Sequence, residues 1–161
     1  MENKTLKIIR EVCEFLDAEQ YDYTVNEEGE ILFSSKLNGE IESMNAVFRT
    51  DGQVLGLFGN YPLHIADNDK KSTEEMWKFI SSFNRKSLYA HLNMEEGNLY
   101  IVGFEDCEEG APSPQGIASM IRHIGIAYSD AYPELVHIMM DGKSADDAIH
   151  DIIYGRDADR K

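Results

Sequence analysis

Polar and apolar positions along this 161-residue chain change period in a fixed order: a helical repeat, alternating strands, a second helical repeat, two more strands, then helical repeats to the end. From residue 4 to 18, Leu6, Ile9, Val12, Cys13 and Leu16 share one face, with Lys7, Arg10, Glu11, Glu14 and Asp17 opposite. The spacing predicts an amphipathic helix lying on an apolar surface. Tyr21, Tyr23 and Val25 alternate as a short strand, and Asn26-Glu27-Glu28-Gly29 closes it with a turn. Ile31, Phe33, Ser35 and Leu37 mark the next strand, and Asn38-Gly39 predicts a two-residue hairpin. The return strand carries Met44, Ala46 and Phe48 on one face and Ile41, Asn45 and Val47 on the other. Asp51-Gly52 predicts a second hairpin of the same kind, and the strand through Val54, Gly56 and Phe58 is expected to stop at Pro62, which cannot donate to a ladder.

Ser72-Thr73-Glu74-Glu75 reads as a capping box that starts a second helix. Met76, Ile80 and Phe83 form its centre with Trp77 and Phe79 on the flanks, an apolar arc roughly 160° wide at the ~100° step per residue, broader than one sheet contact needs. Leu88 to Met94 and Leu99 to Phe104 predict a strand pair about Glu95-Glu96-Gly97-Asn98. Ser113 and Pro114 begin the next helix, with Ile117, Met120, Ile121, Ile124, Ala127 and Tyr128 as its apolar face. Pro133 is predicted to kink or restart it before Asp141-Gly142 ends it. A last helix, about 144–154, is capped by Ser144 with Asp147, buries Ala148, Ile149 and Ile152, and stops at Gly155. Residues 156–161 are a charged tail, expected to be mobile. No repeat or linker interrupts the pattern, so residues 1–161 are expected to form a single domain with its core in 4–140. The expected fold class is α+β, an antiparallel sheet of five or six strands with helices packed on one face.

Charge changes the picture of partners more than of fold. Thirty acidic residues against fifteen Lys and Arg leave a net charge of −15, which repels phosphate backbones and argues against nucleic acid. Such a surface serves solubility or steers a basic partner. No apolar stretch approaches the ~20 residues of a membrane span, and no secretory leader pattern opens the chain. Two cysteines are too few for a disulfide framework. A reduced, cytoplasmic protein away from membranes is the expectation.

Candidate chemistry is sparse. None of His64, His91, His123, His137 and His150 falls in the spacing that puts two zinc ligands one helical turn apart. Glu105-Asp106-Cys107-Glu108-Glu109 offers oxygen ligands but lacks the spaced loop of a calcium site, and it reads as a solvated acidic loop. The same carboxylates should raise the Cys107 pKa and suppress its thiolate. Nucleophile-elbow, phosphate-loop and dinucleotide patterns are missing. Gly56 and Gly59, inside a strand pattern, suggest a bulge or a close backbone approach. No catalytic, cofactor or metal residue is assigned, no cofactor is expected, and the chain is read as a non-enzyme. The seven methionines serve either as core filler or as an adaptable binding surface. The wide arc of Met76, Trp77, Phe79, Ile80 and Phe83 is the expected protein interface, since Trp and Phe are natural interface anchors.

The order of elements over about residues 4–140, the entry at Tyr23, Val25, Glu28 and Gly29, Phe83-Asn84 near the end of the second helix, and the acidic surface together resemble the YbjN-type sensory transduction regulators, which share the type III secretion chaperone-like fold. The helix from Ser144 and the short strand at Tyr21 depart from the simplest version of that fold. The resemblance implies a protein-binding module without catalysis, often dimeric, and it carries over no functional residues. The expected function is a chaperone-like or regulatory module that binds a protein or peptide client and forms a homodimer through its second helix and adjacent strands. The alternative is an acidic inhibitor or immunity-type protein that neutralises a basic protein. A metal-dependent or hydrolytic enzyme is a third reading, motivated only by the abundance of carboxylates.

Overall fold

Asn3 caps the first helix, α1 (Lys4–Ala18), by accepting a hydrogen bond from the Thr5 amide at 3.0 Å. Its inner face is Ile8, Val12 and Leu16, all fully buried, with Ile9 and Cys13 packed at the margin; Leu6 is 59% exposed. The stripe is therefore rotated by part of a turn from the one read in the sequence, because Ile8 rather than Leu6 enters the common core. These details come from a computed structural model, which describes residues 3–39 and 41–155. The tail expected at 156–161 lies outside them.

Six strands follow: β1 (Tyr23–Val25), β2 (Ile31–Lys36), β3 (Ser43–Thr50), β4 (Val54–His64), β5 (His91–Glu95) and β6 (Asn98–Asp106). They form one antiparallel sheet in the order β1-β2-β3-β4-β6-β5, which makes the strand count six among the described residues. Three more helices lie among the described residues: α2 (Lys70–Lys86) between β4 and β5, then α3 (Pro114–Asp141) and α4 (Ala145–Tyr154). Alternation sorts the sheet into two sides. Ile31, Phe33, Met44, Phe48, Leu57 and Ile101 point inward and are buried in one cluster with the helices. Outward positions such as Leu32 and Phe104 remain exposed, so the helices lie on one face only.

Several local expectations are corrected. The β2–β3 connection runs over 37–42, with the Leu37 amide bonded to the Glu42 carbonyl at 3.0 Å, and is longer than the two-residue hairpin that Asn38-Gly39 suggests. At Asp51-Gly52 a third residue, Gln53, joins the loop, because the Asp51 carboxylate holds both the Gln53 and Val54 amides. Pro62 does not end β4. A bulge between Asn60 and His64 absorbs the missing donor, and pairing resumes at His64 with Asn98. The cap of α2 is Asp69, whose carboxylate accepts from the Ser72 amide, so the helix starts before the predicted capping box. Pro133 neither breaks nor restarts α3, which runs as one 28-residue helix. Tyr128, Ala131, Leu135 and Ile138 are buried on both sides of that proline, and this packing outweighs the lost backbone hydrogen bond.

Candidate binding cleft

Where α2 ends, three elements leave a gap. Phe83 on the last turn of α2 and Ala90 before β5 form the floor, and Ala127 on α3 with Ile149 and Ile152 on α4 form the walls. The cleft has a volume of about 260 Å³. Its rim carries Tyr89 (64% exposed), Ile126 (55%) and Ile153 (44%), and Leu88 next to it is 85% exposed. Polar groups sit only at the margins: Lys86, Ser87, His123 and Asp130. Burial raises the pKa of the Asp130 carboxyl above the usual carboxylate value.

Local sequence explains why the gap persists. The Asn84 side chain bonds the Leu92 backbone twice, donating to its carbonyl at 2.9 Å and accepting from its amide at 2.7 Å, which fixes the end of α2 against β5. Tyr89, in the segment ahead of β5, stacks on His123 of α3, centroids 4.3 Å apart with 13° between planes. Gly142, with φ of +65°, turns the chain back after α3, and Ser144 caps α4 by accepting from the Asp147 amide. Glu75 of α2 accepts from the Ala145 amide at 2.8 Å, pinning the start of α4 to the start of α2. The hydrogen bond from that amide is the largest cause that holds the Glu75 pKa below the usual carboxylate value. The two helices therefore meet at one end and diverge toward the cleft.

The residues singled out in sequence fall elsewhere. Met76, Phe79, Ile80 and Phe83 are buried in the core of this chain, between 0% and 7% exposed. Of the five expected interface residues only Trp77, 45% exposed, presents real surface. The breadth of the arc has a different cause: α2 packs against β5 on one side and against α4 and α3 on the other. Only Phe83 joins the cleft. Ile149 and Ile152, expected to be buried, are its half-exposed walls. Tyr89, His123, Ile126 and Ile153 were missed. The available signal was the run of apolar residues at Leu88-Tyr89 ahead of a strand and the Ile152-Ile153 doublet, which is wider than one helix contact needs.

Other groups stay apart. Cys13 and Cys107 are free thiols whose pKa is raised first by burial, with carboxylates adding to it. Among the described residues no three His, Cys, Asp or Glu side chains converge as a metal site requires, and no helix is long and apolar enough to cross a membrane. A second, more polar cleft of about 610 Å³ lies between α1, β2 and α3 and shares Ile126 and Asp130 with the first.

The six-stranded antiparallel sheet with helices on one side defines the fold class as α+β of the YbjN type. The structure of YbjN from E. coli, described as that of a candidate transcription regulator, superposes with a TM-score of 0.56 over 76% of this chain and 89% of its own, at 12% sequence identity. No family model matches the chain, and no curated protein matches it in sequence. The likeness is one of fold.

Proposed function

We propose that this chain is a protein- or peptide-binding module, chaperone-like or regulatory and non-enzymatic, that seats an apolar client segment in the cleft between α2, α3 and α4 and works as a homodimer in the cytoplasm. The observation that carries the reading is the clustering of exposed large apolar side chains, Leu88, Tyr89, Ile126 and Ile153, around an apolar floor. Contiguous apolar surface of this kind marks interaction sites. Client capture by strand addition at β5 is less favoured, because Asn84 already occupies that edge at Leu92. The regulator description of the structural neighbour accords with a protein client here, since a net charge of −15 opposes direct contact with DNA.

The test is selection of binding sequences from a random peptide library on the wild-type chain, then titration calorimetry of the selected peptides. Ile126→Glu and Ile153→Glu are expected to weaken binding at least tenfold while melting temperatures stay within about 2 °C, since both side chains are exposed. Peptides that bind both variants as tightly as wild type would remove the cleft from the reading.

The charge of −15 favours a second reading, an acidic inhibitor that neutralises a basic protein. Association would then be fast and would slow steeply with ionic strength, whereas a client held in an apolar cleft keeps its affinity as salt rises.

A further inference from the structure

The side of the sheet that no helix covers has a pattern of its own. Val47, Phe58 and Val102 lie side by side across β3, β4 and β6, and Arg49, Gly56 and Phe104 form the next row. Gly56 has no side chain there. The Phe58 and Phe104 rings approach over it edge to face, centroids 6.1 Å apart. The Arg49 guanidinium lies 4.8 Å from the Phe58 centroid, and Phe104 is 63% exposed.

Charge on this face is nearly balanced. Lys36 and Arg49 point outward on the β2–β3 side, and Glu95 and Asp106 point outward on the β5–β6 side, with Glu30 in an ion pair with Arg49. The chain as a whole carries −15, so the acidic excess lies on other surfaces. Two copies that approach by this face avoid the repulsion they meet elsewhere.

We propose that the open sheet face binds a second copy of this chain, sheet against sheet, about a two-fold axis that runs along β4. The strand order β1-β2-β3-β4-β6-β5 then sets β2 over the other copy's β5, and β3 over its β6. The levels match along the strands as well. Lys36 is opposite Ser43 and Glu95 is opposite Asn98, and both pairs lie two residues beyond the row of Asn45, Asn60 and Tyr100. The axis therefore brings Lys36 over Glu95 of the other copy, Arg49 over its Phe104, and the two Phe58 rings together. Five strands at a spacing of about 4.8 Å and about seven residues of length give a flat footprint of about 550 Å². With side-chain relief this approaches the ~800 Å² per partner of a standard interface, and aligned sheets stack in this way at about −30°.

The inference rests on the homodimer in the proposed function and is independent of the cleft. Sedimentation equilibrium on the full chain tests it, with circular-dichroism melts to confirm folding. The wild type is expected to be a dimer, and Phe104→Glu, at an exposed position, is expected to raise its dissociation constant at least tenfold. Lys36→Glu sets two acids face to face and is expected to weaken the dimer about threefold at low salt, as suits an interfacial ion pair near solvent. Adding Glu95→Lys in the same chain is expected to restore it, which a mere loss of fold would not allow. A wild type that stays monomeric overturns the dimer itself. A dimer that survives Phe104→Glu and ignores both charge changes, yet dissociates in Trp77→Ala, retains the dimer and overturns this face as its contact.

Discussion

Tyr61 and Tyr128 lie face to face in the core, ring centroids 4.1 Å apart and planes within 4°. Each ties the other's element down: the Tyr61 hydroxyl donates to the Tyr128 carbonyl and the Tyr128 hydroxyl to the Asn60 carbonyl, both at 3.1 Å. Tyr132 meets both rings edge-on, at 5.4 and 5.6 Å. This stack is how α3 is registered on β4 beside the bulge, and it places Ala127 and Ile126 at the cleft.

The same pair sets an alkaline limit. Burial first, and neighbouring tyrosines second, push both phenol pKa values above the ordinary value, with Asp130 adding to the shift at Tyr61. A group whose folded pKa is raised contributes stability that is complete below its unfolded pKa of about 10 and is lost as pH climbs toward the folded value. Stability should hold steady up to about pH 10 and then fall. In a spectrophotometric titration, two of the eight tyrosines should ionise only with unfolding. Tyr61→Phe is expected to cost about 1 kcal/mol at neutral pH and to make the alkaline fall shallower.

Gly59 and Gly56 look alike in sequence but face opposite sides of β4. A Cβ at Gly59 would lie 2.6 Å from the Met44 sulfur, 3.1 Å from Ile101 and 3.2 Å from the Tyr128 ring. The thioether can yield, but the ring is locked by its stack. Gly59→Ala is expected to destabilise by about 2 kcal/mol. Gly56→Ala presses only on Phe58 and Phe104, at 2.9 and 3.1 Å on the face that no helix covers, where nothing within the chain pins the two rings as the stack pins Tyr128. Its expected cost is under about 1 kcal/mol. Chemical denaturation of the two variants compares them directly, and equal losses would contradict the inside–outside assignment.

The contrast shows which kinds of information the sequence holds. Alternation in β2, β3 and β6, the Ser113-Pro114 start, the Gly142 stop and the Glu96-Gly97 turn are set by residues within a few positions of one another, and each was legible. The Asn60–His64 bulge and the unbroken α3 depend on what distant elements supply, so local rules misplaced them; the Asp69 cap is a local contact with Ser72, and the stronger-looking capping box one turn on hid it. The cleft is the extreme case. Phe83, Tyr89, His123, Ile126 and Ile152 come from separate segments, and nothing in their own neighbourhoods says that α4 will pack only partway across α2. The arc on α2 was read correctly as unusually broad. Its explanation, contacts with both sheet and helices, required the third dimension.

Asn84 gives the helix end its position by imitating a strand. Its amide offers Leu92 one donor and one acceptor, as a neighbouring strand would. Asn84→Ala should expose that edge and cost about 1–2 kcal/mol, and Asn84→Asp should cost at least as much, because a carboxylate cannot donate to the Leu92 carbonyl. Hydrogen exchange at the Leu92 amide checks the mechanism: it should quicken in Asn84→Ala more than exchange at Ile101 on the inner strand does.

Lys143 closes the far side of α4. Immediately after the Gly142 turn its ammonium bonds Glu134 at 2.7 Å, where the carboxylate is 1% exposed, and it also bonds Asp151. Burial disfavours the Lys143 charge, but hydrogen bonds and charge from Asp151 and Glu134 outweigh it and raise the pKa. The hydrogen bond from Lys143 in turn holds the Asp151 carboxyl below its ordinary pKa. Lys143→Met takes away the cation and leaves two carboxylates close together, one of them buried, so a loss of about 2–4 kcal/mol at pH 7 is expected. The Asp151 share of that stability is present above its unfolded pKa of about 3.9 and disappears as pH falls through the lower folded value. The gap between wild type and Lys143→Met in urea denaturation should therefore narrow below about pH 4. Combining Lys143→Met with Glu134→Leu and Asp151→Leu should recover most of the loss, because packed apolar groups can replace a buried ionic cluster. A triple variant no more stable than Lys143→Met would mean that these charges set the position of α4 rather than merely offset one another.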